Sequence, residues 1–418
     1  MATTLDTAPG TTGRPAGAGS GPGEPCILLK LGEVVLKGKN RQLFERRLQN
    51  NIRAALRGLG DAVIWNRSGV IVVRLPGADE ATQAEAAKRV GDVMGIVWVH
   101  RAWRVEKNPE AVVDASVRLL SGRTGSFAVK ARRRDKRFPM NSSEISVLVG
   151  SAVQEAYGLP VNLKHPDNTV HIEVDQREVF VFTDGTLGQG GLPVGMSGRA
   201  LVLMSGGIDS PVAAHRMMRR GLRVDFLHFS GMPFTGPESI YKAYGLVREL
   251  DRFQGGSRLF VVPFGKAQQQ LKASGADRLQ VVAQRRLMLK TGEALAHRLG
   301  AAALVTGDSL GQVSSQTLAN LTALDDAVDL PILRPLVGFD KTEIMSEARR
   351  IRTLHISELP DEDCCTLLTP RQVETRAKID DLRQIERRLD AEELAERLAD
   401  TIQEHRPAAY AEKEPARA

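Results

Sequence analysis

Hydrophobic positions recur along the chain with two spacings, and the switches between them predict its elements. Residues 26–31 form an apolar run of strand length, after which the period lengthens: Leu43, Phe44, Leu48, Ile52, Ala55, Leu56 and Leu59 share one face of a helix that Gly58 and Gly60 end. Residues 62–65 and 70–74 read as short strands around Asn66, Arg67, Ser68 and Gly69, whose turn chemistry suits a hairpin. The result is a βαββ unit of the size of a small α+β domain. Residues 76–85 read as a linker. Beyond it, to about residue 190, strands are expected over 97–105, 126–131, 169–174 and 178–183, with helices near 109–120 and 142–157. The glycine-rich stretch from Leu187 to Pro193 reads as a hinge.

After that stretch the pattern becomes a strict alternation. Apolar runs at 201–204, 223–229, 258–262 and 302–306 are separated by helical patterns over 212–220, 238–253 and 277–299. This predicts a doubly wound parallel sheet, with a ligand at the carboxyl ends of its strands. Residues 371–405 read as helical and highly charged, with Leu382, Ile385, Leu389, Leu394, Leu398 and Ile402 as an apolar stripe, and the last residues read as frayed.

With 418 residues, 42% hydrophobic and 26% charged, the chain has the length of two to four domains and an ordinary globular composition. Its net charge of +7 suggests an anionic partner. Between residues 130 and 137 the basic charge is concentrated: Lys130, Arg132, Arg133, Arg134, Lys136 and Arg137 crowd a stretch read as a loop at a strand end. That density suits phosphate binding, and a solvated charge run is the plainer alternative. Three cysteines without a C-x-x-C pair support neither a disulfide framework nor a zinc site, and they suit a reducing, cytoplasmic setting. The first 24 residues, rich in Gly, Pro, Thr and Ala without an apolar core, are expected to be a disordered tail rather than a signal peptide or membrane anchor.

Candidate chemistry concentrates at residues 201–215, which read as strand, phosphate loop and helix. Gly206 and Gly207 let backbone N–H groups approach a phosphate, Ser205 and Ser210 add hydroxyls, and Pro211 fits the first helical turn. Asp209 beside a phosphate calls for a Mg²⁺ between the two negative groups. A Walker A loop is excluded because no lysine stands in the segment; a glycine-rich turn without function is the bland reading. His228, Phe229 and Gly307 fall at strand ends nearby, Phe229 as either a purine-stacking ring or core. Arg285 and Arg286 are adjacent on a helix, so at most one points into the site. Residues 311–316 form a polar loop that could cover a nucleotide or merely connect. Cys364 and Cys365 stand in an acidic loop, where a reactive thiol is favoured over packing although the carboxylates would raise its pKa.

The stretch Ser205-Gly-Gly-Ile-Asp-Ser210 resembles the PP-loop of ATP pyrophosphatases, which cut ATP between the α- and β-phosphates. Taken in order with Leu31-Gly-Glu-Val-Val-Leu-Lys-Gly-Lys-Asn-Arg41, the basic stretch ending in Phe138 and Pro139, Gly307 to Gln316, and Asp361-Glu-Asp-Cys-Cys365, it is similar to the tRNA 4-thiouridine sulfurtransferases of the ThiI type. The resemblance implies an α/β fold: a doubly wound PP-loop domain at 196–375, preceded by a ferredoxin-like domain at 26–82 and a THUMP RNA-binding domain at 83–190. A tail at 1–25 and a helical extension at 376–418 complete the expected layout.

The same resemblance implies ATP and Mg²⁺ as cofactors, tRNA as partner, and thiolation of uridine 8. By family pattern the nucleotide contacts fall on Leu203, Met204, His228, Phe229, Arg285, Gly307 and Gln316, beside the loop, and sulfur passes through Cys364. No protein ligand set for a resident metal is expected, nor a membrane partner; a homodimer is left open. With about forty residues after the cysteines, no rhodanese domain is expected. Sulfur should then come from a cysteine desulfurase, and the family's thiamine role, tied to that domain, is left in doubt. The rival reading is another PP-loop enzyme, either tRNA-modifying or amide-forming.

Overall fold

The computed structural model describes residues 23–67, 69–360, 370 and 372–407; the expected cysteine site, Cys364 with Cys365, lies outside the described residues. In chain order the first twelve strands and α-helices among the described residues are β1 (Glu24–Leu31), α1 (Arg41–Ala55), β2 (Val63–Arg67), β3 (Val70–Arg74), α2 (Glu80–Gly91), β4 (Ile96–Val105), α3 (Pro109–Leu119), β5 (Phe127–Arg133), α4 (Ser142–Tyr157), β6 (Asn168–Val174), β7 (Val179–Phe182) and β8 (Thr186–Leu187). Strand β1 starts inside the stretch expected to be tail. Helix α2 overlaps the stretch expected to be a linker: Asp79 accepts a hydrogen bond from the Thr82 N–H, and Ala86 and Val90 are buried. An N-cap carboxylate followed by an amphipathic turn starts a helix despite the preceding Pro-Gly pair.

The chain divides into two units, one of them the chain up to Leu28 together with His100–Gly185. Within it β5 and β6 are parallel while β6 and β7, and β7 and β4, are antiparallel. Helices α3 and α4 bury Val112, Ala115, Ile145, Val149 and Val153 in a core with Val170, Ile172 and Val181. A capping box at Asn141 and Glu144 fixes where α4 starts, as the sequence pattern N-x-x-E requires.

The other unit joins Leu29–Val99 to everything from Thr186 onward. It holds the β2–β3 hairpin and then β9 (Arg199–Leu203), α5 (Asp209–Arg219), β10 (Arg223–Ser230), α6 (Glu238–Asp251), β11 (Leu259–Pro263), α7 (Gly265–Ala273), α8 (Gln280–Leu299), β12 (Leu304–Val305), α9 (Leu318–Asp325), β13 (Ile332–Leu333), α10 (Lys341–Arg350), α11 (Leu354–Ser357), α12 (Ile379–Leu389), α13 (Ala391–Asp400) and β14 (Gln403–His405). The sheet order is β13-β12-β9-β10-β11-β14, parallel except for β14. Residues of α5, α6 and α10 pack in one hydrophobic core, and residues of α7, α8, α12 and α13 in another. Buried from both sides, the strands carry continuous apolar runs rather than alternation, as expected for a doubly wound sheet.

The stretch expected to be a hinge is tied down. The Gly188 N–H donates to Val97, Gly190 to Ile96 and Leu192 to Arg219, all onto backbone carbonyls at 2.8–3.0 Å. A Cβ on Gly191 would stand 2.1 Å from the Arg219 carbonyl oxygen. These glycines permit close backbone approach, so here they mark a strap along the fold rather than freedom of motion.

Candidate active site

Strand β9 lies between β10 and β12, the point at which successive crossovers leave in opposite directions; loops following β9 and β12 therefore diverge and open a crevice at the strands' carboxyl ends. The loop after β9 is braced from within by Ser210. Its hydroxyl accepts from the Ser205 N–H at 3.0 Å and donates to the Ser205 carbonyl at 3.2 Å, while the Gly207 N–H donates to Ser205 Oγ at 3.3 Å. Ser210 is buried, so its hydroxyl shapes the loop instead of facing outward, whereas Gly207 is exposed. From the other side of the crevice comes Gly307. A Cβ there would meet Ser210 N at 2.8 Å and Asp209 C at 2.9 Å, so only glycine lets the end of β12 lie against the first turn of α5.

Asp209, at the start of α5, has two partners that sequence reading missed. The Lys341 ammonium donates to Oδ1 and the Gln312 amide to Oδ2, each at 3.0 Å. The lysine absent from the loop itself is thus supplied from 132 positions away. It sits in the first turn of α10, where Asp340 and Glu343 form a capping box. The D-x-x-E pattern could have placed that helix start, but nothing local pairs it with Asp209.

A second polar cluster surrounds Asp308, one residue beyond Gly307. Arg285 Nη2 lies 2.5 Å from Oδ1, with Gln316 Nε2 at 3.2 Å; Thr306 donates to Oδ2 at 2.8 Å and Arg334 Nε stands 3.4 Å away. Burial alone would raise the Asp308 pKa, but Arg285, Thr306 and Arg334 outweigh it and hold the carboxyl below its ordinary value. Asp308 thereby links two of the expected nucleotide residues, Arg285 and Gln316, and adds Arg334, another residue not anticipated. Arg286 points the opposite way, buried between Glu386 at 2.6 Å and Asp326 at 3.1 Å.

The remaining expected contacts lie at the ends of β9 and β10, with side chains buried or half-buried. His228 is buried, with Nδ1 2.9 Å from the Met204 carbonyl and Nε2 3.2 Å from Ser239 Oγ; it braces the loop through its backbone. Met204 is buried and Leu203 half-buried. Of the two readings open for Phe229 the core one applies, since its ring is 5% exposed and meets Phe264 edge to face at 5.2 Å.

In the other unit the basic stretch splits into groups with different duties. Strand β5 runs on to Arg133, so Lys130 and Arg132 alternate outward on a strand rather than sitting in a loop. Arg133 donates to the carbonyls of Phe138 and Met140 at 3.3 and 3.2 Å. Arg137 pairs with Asp135 at 3.1 Å, and Arg134 stands 3.9 Å from Asp175. Hydrogen bonds from Arg137 first, and Lys107 next, hold the Asp135 carboxyl well below its usual range. Exposed Lys130, Arg132 and Lys136 have no side-chain partner among the described residues. Also among the described residues, no helix is long and apolar enough to cross a membrane, and no cluster of three His, Cys, Asp or Glu could hold a metal by itself.

Comparison with known proteins covers the same ground independently. The profile of the ThiI ferredoxin-like domain matches residues 26–99, that of the THUMP domain residues 110–184, and that of the thiamine biosynthesis protein (ThiI) residues 195–391. The chain is 49% identical over 401 residues to a probable tRNA sulfurtransferase of Nocardia farcinica, covering 94% of this chain and 97% of that one. To its counterpart from Thermus thermophilus it is 43% identical, covering 89% and 91%. The crystal structure of a 4-thiouridine synthetase–RNA complex with bound ATP superposes with a TM-score of 0.84 at 31% identity, covering 92% of this chain and 99% of that one. An α/β fold with a doubly wound PP-loop sheet, matched from end to end by such relatives, leaves one assignment: this chain belongs to the ThiI family of tRNA sulfurtransferases.

Proposed function

We propose that the chain is an ATP-dependent tRNA sulfurtransferase that converts uridine 8 to 4-thiouridine in the cytoplasm. The observation that carries this reading is the meeting of Asp209, Lys341 and Gln312 at the mouth of a loop built on the switch point of the sheet. Residues 83–190 hold the tRNA, with Lys130, Arg132 and Lys136 as the cations free to take phosphates, and residues 196–375 carry the chemistry. Arg133 and Arg137 serve that surface indirectly, by shaping its turn.

The donor set suits a Mg²⁺ that arrives with ATP, because such an ion takes one or two carboxylates and fills its shell with phosphate oxygens and water. Asp209 is the carboxylate that would hold it, and when bound it would neutralise charge on the phosphates. Lys341 then exchanges its contact with Asp209 for a phosphate oxygen, and the exposed Gly207 end of the loop, at the N-terminus of α5, orients the phosphate chain. The C4 carbonyl of uracil is a poor leaving group; attack of its oxygen on the α-phosphate gives an adenylate and pyrophosphate. Arg285 and Gln316, held together by Asp308, orient the nucleotide. Sulfur arrives as a persulfide on Cys364, loaded by a cysteine desulfurase; its outer sulfur attacks C4 and AMP leaves. A second thiol, from Cys365 or an external dithiol, then attacks the Cys364 sulfur, releasing 4-thiouridine and leaving a disulfide that the external thiol reduces.

The test is to incubate the protein with unmodified tRNA, ATP, Mg²⁺, cysteine and a desulfurase and to measure 4-thiouridine and AMP together. Equal amounts of the two support the reading. AMP formed with a different acceptor, and tRNA left unmodified, would reassign the chain to another PP-loop reaction.

A further inference from the structure

Helix α6 starts beside the phosphate loop, where Ser239 meets His228 at 3.2 Å. Tyr241, Tyr244 and Arg248 follow at i, i+3 and i+7, on one face of this helix. Tyr241 is 70% exposed and Tyr244 38%, an unusual pair of bare aromatic rings on a charged helix. At 1.5 Å per residue the row extends about 10 Å, the length of about three stacked nucleotides.

The row ends at a cavity of about 310 Å³ lined by Lys88, Arg248, Arg252 and Arg352, with Glu249 as the acidic member. Arg252 is buried and occupied, with Glu249 at 3.4 Å and Asp92 at 3.7 Å. Arg248 and Arg352 are different: among the described residues neither side chain has a hydrogen bond or an ion pair, and Arg352 acts on Asp92 only at longer range, opposing the rise that burial imposes on that carboxyl. The backbone at Arg352 adds a second, independent sign. Thr353 N–H donates to Ala348 and Arg352 N–H to Arg349, the pattern in which the residue after a helix is left-handed. That residue is normally glycine, yet here an arginine is held at φ +62° and its side chain lines the cavity.

We propose that this row and cavity are a second RNA contact, on the catalytic unit itself: Tyr241 and Tyr244 stack on bases next to the reacting uridine, and the cavity takes a backbone phosphate through Arg248 and Arg352. The inference rests on the tRNA reading above. A base that reacts at the phosphate loop must leave its own stack, which lays its neighbours over the adjoining surface. Aromatic faces followed by unpaired guanidinium groups are the means by which proteins hold unstacked single strands.

The test compares the whole protein with Tyr241→Ala/Tyr244→Ala and with Arg248→Ala/Arg352→Gly, measuring tRNA affinity across a salt series, 4-thiouridine formation and Tm. Losing this phosphate contact should lower the slope of log K against log salt by about 0.7 to 0.9. Losing two stacking rings should weaken binding about tenfold or more at every salt concentration. Arg352→Gly alone should keep or raise Tm, since glycine suits the left-handed backbone, so its weaker binding cannot come from unfolding. Wild-type protein that thiolates tRNA, with variants of unchanged slope and affinity, would overturn this inference and leave the proposed function standing. Unchanged tRNA binding with lost sulfur loading from the desulfurase would assign the surface to a protein and equally overturn it.

Discussion

Gly307→Ala probes how closely the two sides of the crevice must meet. The added methyl would lie 2.8 Å from Ser210 N, 2.9 Å from Asp209 C and 3.1 Å from Asp209 Cβ, where ordinary contact begins at 3.4 Å. Two of these three are backbone atoms, so no side chain can swing away; the end of β12 and the first turn of α5 must separate by about 0.6 Å, taking the overlap of the closest pair. Overpacking of this kind costs about 1–3 kcal/mol. The larger effect falls on positioning, because Asp209 heads the displaced turn and Asp308 follows the displaced glycine. A misplacement of about 1 Å costs about a hundredfold in rate, so a shift of this size should slow adenylation by about ten- to a hundredfold. The assay is pyrophosphate release with saturating tRNA and ATP, alongside tRNA affinity, which should hold because the basic strand is in the other unit. Turnover within twofold of wild type, with tRNA bound normally, would refute the claim that contact at Gly307 sets the geometry.

Four further expectations concern other parts of the molecule. Lys341→Ala should cut pyrophosphate release by about a hundredfold, as loss of a charge-stabilising donor does, while Lys341→Arg retains part of it; equal activity in Lys341→Ala would remove the lysine from the phosphates. Lys130→Ala/Arg132→Ala/Lys136→Ala should weaken tRNA binding and lower its salt slope by about 0.7 to 0.9 per contact, whereas Arg133→Ala should act chiefly through Tm. Cys364→Ala should continue to form adenylate but make no 4-thiouridine, with Cys365→Ala at least partly active; the reverse pattern would exchange their roles. Burial, resisted by Glu347, lowers the His215 pKa to about 4. A base harder to protonate when folded contributes stability above its unfolded pKa of about 6.5, and loses about 2 kcal/mol of it by pH 5. Urea unfolding at pH 7 and pH 5 should show that loss in the wild type and a smaller one in His215→Gln.

The layered order of this fold is readable in the chain because apolar runs and amphipathic periods are local properties. Where local signals compete, reading fails: the Pro-Gly pair near residue 76 hides the helix that Asp79 starts. Short strands also escape it, since β13 spans two residues and carries no period of its own. In a sheet covered on both faces, consecutive residues such as His228 and Phe229 are both buried, so the pattern cannot tell a lining side chain from a core one. The phosphate loop is legible as a motif, but its electrostatics are not, because Lys341 and Gln312 reach Asp209 across more than a hundred residues. The basic stretch shows the converse limit. Six cations are visible in the sequence, yet only coordinates reveal that Arg133 and Arg137 are engaged by carbonyls and by Asp135.

Strand β14 has a meaning beyond its three residues. It runs antiparallel against β11, pairing Leu259 with His405, Phe260 with Glu404 and Val261 with Gln403. A parallel sheet whose last strand is Leu-Phe-Val-Val would otherwise present an apolar edge with a row of unsatisfied amides, a template onto which another chain could add. The short polar strand occupies that row and presents Gln403, Glu404 and His405 in its place, too brief and too hydrophilic to recruit a further strand. Removing it would leave the catalytic crevice untouched, yet bare that apolar edge and favour self-association as the concentration rises.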